Sequence, residues 1–248
     1  MKKILLLICL KLSFNAAHAQ ITLHPTIGGN MHGLVIYRPV FYSEYDPLEI
    51  EEFKSYRKSA SYMKPGFQIG LSADIPLSDR FSFEPGLRFI KKGYLYKAAW
   101  NIDGYHHKEE DKLNIRYLEI PLMFNFNTEV GDGILSVTAG PSFGLQMGGS
   151  YHIKMESDIY GNSDEVIKNG TGDEEIQDYY DALFKGNADD GGLKRYEISA
   201  YLGVRYEINQ ITFGVTYGQG LSNWVYNDEE NNEKTQVLQL NVGYKFEL

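Results

Sequence analysis

The sequence predicts an all-β fold, namely an eight-stranded antiparallel up-and-down transmembrane β-barrel with short periplasmic turns and long extracellular loops. Three observations carry that expectation. Eight segments alternate apolar and polar residues with period two, the connections between them alternate long and short, and aromatic residues gather at the strand ends. The domain reading is an export signal at 1–19 and a barrel domain over 20–248.

The first element is the targeting segment. Met1-Lys2-Lys3 forms a charged start, Ile4 to Leu10 a short apolar run, and Ala17-His18-Ala19 an A-x-A site that predicts cleavage before Gln20. The run is too short for a membrane helix. Cys9 follows Ile8, where a lipoprotein signal needs a small residue, so it reads as part of the apolar run. The mature chain then has no cysteine, which excludes a disulfide framework and a Cys-rich zinc site. It keeps 21 basic against 33 acidic residues, a net charge of -12. That balance argues against a nucleic-acid partner, whose phosphates call for basic contacts. An apolar content of 43% is too high for a disordered chain.

The strands follow in order at about 21–37, 62–76, 80–95, 112–127, 135–147, 196–208, 211–226 and 234–248. In the second, Met63, Pro65, Phe67, Ile69, Leu71, Ala73 and Ile75 oppose Lys64, Gly66, Gln68, Gly70, Ser72 and Asp74. In the fifth, Leu135, Val137, Ala139, Pro141, Phe143, Leu145 and Met147 share one face. In the sixth, Tyr196, Ile198, Ala200, Leu202, Val204, Tyr206 and Ile208 do the same. Each segment exceeds the about 9–11 tilted residues a membrane strand requires. The connections run long (38–61), short (77–79), long (96–111), short (128–132), very long (151–193), short (209–210) and medium (227–233). One rim is therefore trimmed and the other elaborated, as in outer-membrane barrels.

A soluble barrel with its apolar face inward is the competing architecture. The polar face argues against it, because Lys64, Asp74, Glu84, Arg88, Glu119, Glu197, Arg205 and Glu207 suit a small lumen filled by its own ion pairs. The aromatics agree. Tyr94, Tyr96, Trp100, Tyr217, Trp224 and Tyr226 lie towards the long-loop rim, and Phe81, Phe126, Tyr206, Tyr244 and Phe246 towards the other, as an interfacial girdle requires. The chain also ends on a strand rather than a helix.

Several blocks resemble a known family. Phe83-Glu84-Pro85-Gly86-Leu87-Arg88 running into Lys91-Lys92-Gly93, Tyr117-Leu118-Glu119-Ile120-Pro121-Leu122, and Ala139-Gly140-Pro141 are similar to the outer-membrane β-barrel proteins labelled porin-family or PorT-like, of Gram-negative bacteria. The resemblance implies an integral outer-membrane barrel and no single activity; some relatives assist protein secretion. The ending Asn241-Val242-Gly243-Tyr244-Lys245-Phe246-Glu247-Leu248 is similar to the signal read by the barrel-assembly machinery, with Asn241, Gly243, Phe246 and Leu248 at its marked positions. It departs from that signal in closing on Leu248 rather than an aromatic.

Charge partition is the most specific reading of the residues themselves. The four long connections hold 24 acidic and 9 basic residues, a net of -15, whereas the strands and short turns hold 9 acidic and 12 basic, a net of +3. Eight of those twelve bases, Lys64, Lys91, Lys92, Lys112, Arg116, Lys194, Arg195 and Lys234, sit at the long-loop ends of strands and form a candidate lipopolysaccharide collar. The alternative is that inward members such as Arg116 and Arg195 pair with luminal carboxylates while the rest snorkel.

Within 151–193, residues Asp173 to Lys185 place Ile176, Tyr179, Tyr180, Leu183 and Phe184 on one face of a short helix ended by Gly186. Asp189 and Asp190 lack the twelve-residue calcium-loop spacing. His106-His107 with Glu109, Glu110 and Asp111 is the clustered His/carboxylate set of the connections, but adjacent His point apart and suit joint ligation badly. Ser142 falls mid-barrel, away from them. No metal, cofactor or catalytic residue is expected. The function read from the sequence is a non-enzymatic outer-membrane protein that binds, adheres or assists secretion or assembly through acidic outer loops. A narrow passive pore and a loop-sited lipid hydrolase are the alternatives. The expected partners are outer-membrane lipid and lipopolysaccharide, the barrel-assembly machinery, and an extracellular or secretion-system protein.

Overall fold

The computed structural model describes residues 21–36, 56–102, 105–158, 161–168, 180–181, 183–185, 192–224 and 233–247. The expected export signal, most of connection 38–61, Asp173 to Tyr179, Asp189, Asp190, Tyr226 and Leu248 lie outside the described residues. Among the described residues ten strands form a single sheet: β1 (Thr22–Ile36), β2 (Tyr56–Pro76), β3 (Phe81–Ile102), β4 (Tyr105–Val130), β5 (Gly133–Ser157), β6 (Gly161–Lys168), β7 (Tyr196–Ile208), β8 (Ile211–Gly220), β9 (Glu233–Tyr244) and β10 (Phe246–Glu247). Every pairing is antiparallel, and the ring closes where β1 meets β9 from Thr26↔Gly243 to Ile36↔Glu233. β10 continues β9 past Lys245 and pairs Phe246 with Leu23, while β6 pairs with β5. Removing that continuation and that added strand leaves the eight expected staves, joined up and down.

Period-two patterning sets the two faces. On β7, Tyr196, Ile198, Leu202 and Val204 are exposed, whereas Glu197, Ser199, Tyr201 and Arg205 are buried. Ile27, Phe67, Ile69, Leu87, Ile120, Phe124, Phe143, Phe213, Val215 and Leu240 extend this outward apolar belt around the ring. A continuous apolar band outside a polar, packed lumen is the inverse of a soluble barrel and is stable where lipid rather than water surrounds it. No helix among the described residues is long and apolar enough to cross a membrane, which has no bearing on crossing by strands.

The trimmed rim is as expected. Ile208↔Ile211 closes over Asn209 and Gln210, at φ 49° and 68°, which is the primed two-residue turn that matches strand twist. The elaborated rim differs. Connection 96–111, expected as a loop, is a hairpin in which β3 and β4 stay paired up to Ile102↔Tyr105. Residues 56–61 and 151–157 are likewise strand, and 161–168 adds β6. In water both faces of a strand can be polar, so these extensions lose the apolar alternation by which strands are read. Ion pairs on one face replace it: Lys97–Glu110 at 2.5 Å across β3 and β4, and, between same-face neighbours along a single strand, Lys112–Glu110 at 2.5 Å and Lys154–Glu156 at 3.1 Å.

β5 changes parity on the way up. Between Gln146 and Gly149 it carries one residue more than β4, a bulge with Gly148 at φ 99°. Below it the odd residues Phe143, Leu145 and Met147 face outward; above it Tyr151 and Ile153 pack against the inner apolar cluster. Glycine tolerates that dihedral, and a Cβ there would crowd the Tyr180 hydroxyl at 2.9 Å.

Candidate functional site

The lumen is filled in layers. At the trimmed rim Lys245 pairs with Asp74 (2.9 Å) and Glu207 (2.8 Å). Next, buried Glu84 accepts from Arg205 (2.7 Å), Ser72 (2.6 Å) and Asn125 (2.8 Å), and meets the His24 ring at 2.8 Å. Above a cavity of about 110 Å³, Glu119 receives Arg88 Nε (3.1 Å), Lys92 (2.6 Å) and the Tyr201 hydroxyl (3.2 Å). Lys92 reaches on to Glu197 (3.0 Å), which Ser199 (2.8 Å) and Thr235 (2.6 Å) also contact. Arg88 lies 4.5 Å over the Tyr201 ring. Charges taken from water into so narrow a space are stable only when paired on several sides, as these are.

Over the ion pairs sits an apolar plug. Ile90, Leu113, Ile115, Tyr117, Leu193, Tyr201, Trp224 and Val237 are buried together with Tyr180 and Phe184 from the long connection. Tyr180, Asp181 and Leu183 to Lys185 are helical, in agreement with the expected helix over its described part, and Tyr180 and Phe184 stack at 4.7 Å. Phe184 lies against Gly149, where any Cβ would displace its ring. Trp224 corrects an expectation: it turns inward, 3% exposed, and donates Nε1–H to the Tyr117 hydroxyl at 3.0 Å instead of joining an interfacial girdle. An inward site offered a buried apolar slot and an acceptor for the indole, which strand-end position alone does not reveal.

The basic collar divides. Lys92 is 3% exposed, faces the lumen and belongs to the ion-pair layer, so it leaves the lipid-facing set. Arg116 and Arg195, expected as inward members, are exposed; Arg116 is on the same face of β4 as Ile120 and Phe124. Lys91 is the cross-strand neighbour of Arg116, and Lys112 lies four residues further up the same face of β4. Lys64, read as luminal, instead reaches over Gly93 to Asn114 Oδ1 and to the Leu113 carbonyl (3.4 Å). The β2–β3 register shift between Met63 and Gln68 carries it off the alternation. Lys194 and Lys234 are half-buried at the heads of β7 and β9, and Lys194 donates its backbone N–H to Trp224 O at 2.8 Å.

The assembly-signal residues lie along the closing seam. Asn241 faces inward and meets the Gln68 amide, Gly243 makes room for His24 and Thr212, and Phe246 is outward, with its ring 4.6 Å from that of Tyr244. The His/carboxylate set does not converge. His106 is exposed and His107 buried on the opposite face, and Ser142 is buried in the lumen far down the barrel.

Two adjacent carboxylates above the belt have opposite environments. Hydrogen bonds from Lys112 and Lys97 pull Glu110 down to about 2. Burial, with Glu109 nearby, raises Asp111 to about 6, opposed by a hydrogen bond from Tyr151. An acid whose folded value exceeds its unfolded one costs nothing below the unfolded value, and the cost grows until the folded value is passed. The extracellular hairpin is therefore expected to be firmer at pH 4–5 than at pH 7.5. Asp111→Asn should remove most of that difference and gain on the order of 1 kcal/mol at neutral pH. Amide exchange of residues 94–115, corrected for intrinsic rates, measures it; equal pH dependence in the variant would contradict the assignment.

No curated protein sequence matches the chain. Among solved structures, it is similar to Neisserial surface protein A (11% identity, 90% of this chain and 97% of that chain, TM-score 0.43). It is similar also to the attachment invasion locus protein Ail of Yersinia pestis (10% identity, 92% and 99%, TM-score 0.39) and to OprG of Pseudomonas aeruginosa (10% identity, 93% and 97%, TM-score 0.38). The family model described as outer membrane protein beta-barrel domain matches residues 7–226, which takes in β1 to β8, and the chain belongs to that family of outer-membrane barrels.

Proposed function

We propose that this protein is a closed, non-enzymatic outer-membrane scaffold that binds at its outer rim and does not conduct. The observation that supports this reading most is the filled lumen: ion-pair layers and an apolar plug occupy the axis, and the cavity between the Glu84 and Glu119 layers holds only about 110 Å³. Eight staves leave an interior that side chains fill, so solute passage would require these layers to open. What the barrel presents instead is structure above the belt. β4 has 26 residues where about 11 cross a bilayer, and the remainder builds an outer sheet with β2, β3, β5 and β6.

The collar of Lys64, Lys91, Lys112, Arg116, Lys194, Arg195 and Lys234 is suited to the phosphates of lipopolysaccharide, and the outer sheet to an extracellular or secretion-system protein. The PorT-like resemblance favours the secretion partner, and the seam ending suits the barrel-assembly machinery. Purified protein in planar bilayers is expected to give no reproducible single-channel steps; stable steps would replace the scaffold with a pore. Cross-linking on intact cells, with residues 158–192 kept or deleted, should identify an outer partner that disappears with the deletion.

A further inference from the structure

The long connections are acidic as a whole, yet their charge is not evenly spread over the outer sheet. β4 keeps one unbroken alternation, so Arg116, Lys112, Glu110 and Lys108 continue upward the face that carries Ile120 and Phe124 below. Cross-strand pairing sets Lys91 beside Arg116, Lys97 beside Glu110, and Lys154 on the other side of Glu110. The β5 bulge makes this possible, because it turns Lys154 to the face that Met147 occupies below. Glu109 and Asp111, by contrast, lie on the opposite face.

Six cations therefore climb one outward face from the top of the apolar belt: Arg116, Lys91, Lys112, Lys97, Lys154 and Lys108. Three carboxylates lie among them, and Asp158 stands above the stripe at the His106 amide. Glu110 bridges Lys97 and Lys112, Glu156 meets Lys154 and, at 3.7 Å, Lys108, and Asp164 pairs with the His152 ring. Lys64 adds to the excess at the foot of the stripe, within electrostatic reach of Lys91 and Lys112. From Arg116 to Lys108 the stripe runs roughly 25 Å along β4. Gathering like charges on a sheet face costs stability unless an anion lies over them.

We infer that this stripe binds the phosphorylated inner-core saccharide of lipopolysaccharide, laid upward against the outer sheet from lipid phosphates held at Lys91 and Arg116. Position selects the ligand. The foot of the stripe is level with the lipid headgroups, and its axis points away from the membrane, the direction in which the core saccharide extends from its lipid. The inference rests on the collar reading and extends it to Lys97, Lys108 and Lys154, which that reading leaves out.

The test uses full-length protein in detergent, with heat-modifiable migration as the check of folding. The probes are lipid A, the delipidated phosphorylated core oligosaccharide, and the same oligosaccharide after dephosphorylation. Wild type should bind the phosphorylated core and not the dephosphorylated one. Changing Lys97, Lys108 and Lys154 together to Gln should weaken core binding at least about tenfold while lipid A binding is kept. Lys91→Gln with Arg116→Gln should lose lipid A. Unchanged core binding in the triple variant, or equal binding of the dephosphorylated probe, overturns the inference. Unchanged lipid A binding in the double variant overturns the collar reading separately. Tighter binding of a sulfated glycosaminoglycan than of the core would overturn the choice of ligand.

Discussion

Glu119→Ala is expected to destabilise the barrel by about 3–5 kcal/mol, the cost of leaving buried charges without their partner. Glu119 is 1% exposed and serves three donors at once: Arg88, Lys92 and the Tyr201 hydroxyl. Its removal leaves Arg88 with Gln239 (2.9 Å) and Lys92 with Glu197 alone. Water cannot readily replace it, because the apolar plug lies over this layer. Glu197→Gln is the graded comparison. Lys92 then keeps Glu119, and the amide still offers an oxygen to Ser199 and Thr235, so the loss should be less than half as large. Urea titrations in lipid vesicles, followed by tryptophan fluorescence, separate the two. A loss under about 1 kcal/mol for Glu119→Ala would mean that the lumen is hydrated and the pairs weak.

The second large effect is expected at Gly93. A methyl group there would enter the van der Waals shell of the Leu113 carbonyl and crowd the Asn114 Cα, both of them backbone atoms of the paired strand β4. Nothing at that point can rotate aside. The same residue meets buried His32, whose Nδ1 lies 2.7 Å from Gly93 O and 3.1 Å from Gly93 N and, according to the tautomer, donates to the first or accepts from the second. Gly93→Ala should therefore part β3 from β4 locally and cost about 3 kcal/mol, at the upper end for overpacking. The expected phenotype is a reduced fraction of the compact, heat-modifiable band after refolding. Gly29→Ala, on the outward face with only a distant carbonyl near its added carbon, should refold like the parent. If Gly93→Ala refolds equally well, the close approach of the two strands is not obligatory.

Much of this architecture was legible in the sequence. Alternation over Tyr196 to Ile208 specified which residues face lipid and which the lumen, because side-chain direction in a strand is local and has period two. The luminal assignment of Asp74, Glu84, Arg88, Glu119, Glu197, Arg205 and Glu207 follows from it. The short turns were legible for the same reason. The tall outer sheet was not, since Lys97, Glu110 and Lys154 show their role only when three strands lie side by side.

The sequence by itself determined a barrel, its two faces, its trimmed and elaborated rims, and the accumulation of acid in the long connections. Only the tertiary structure decided where individual charges point. Lys92 goes into the lumen while Arg116 goes out, Lys64 crosses a strand at Gly93, and Trp224 enters the plug. The extra residue at the Gly148 bulge brings Lys154 to the basic face. The physical reason is that alternation is a property of one strand, whereas a bulge, a register shift or a filled mouth depends on neighbours distant in the chain.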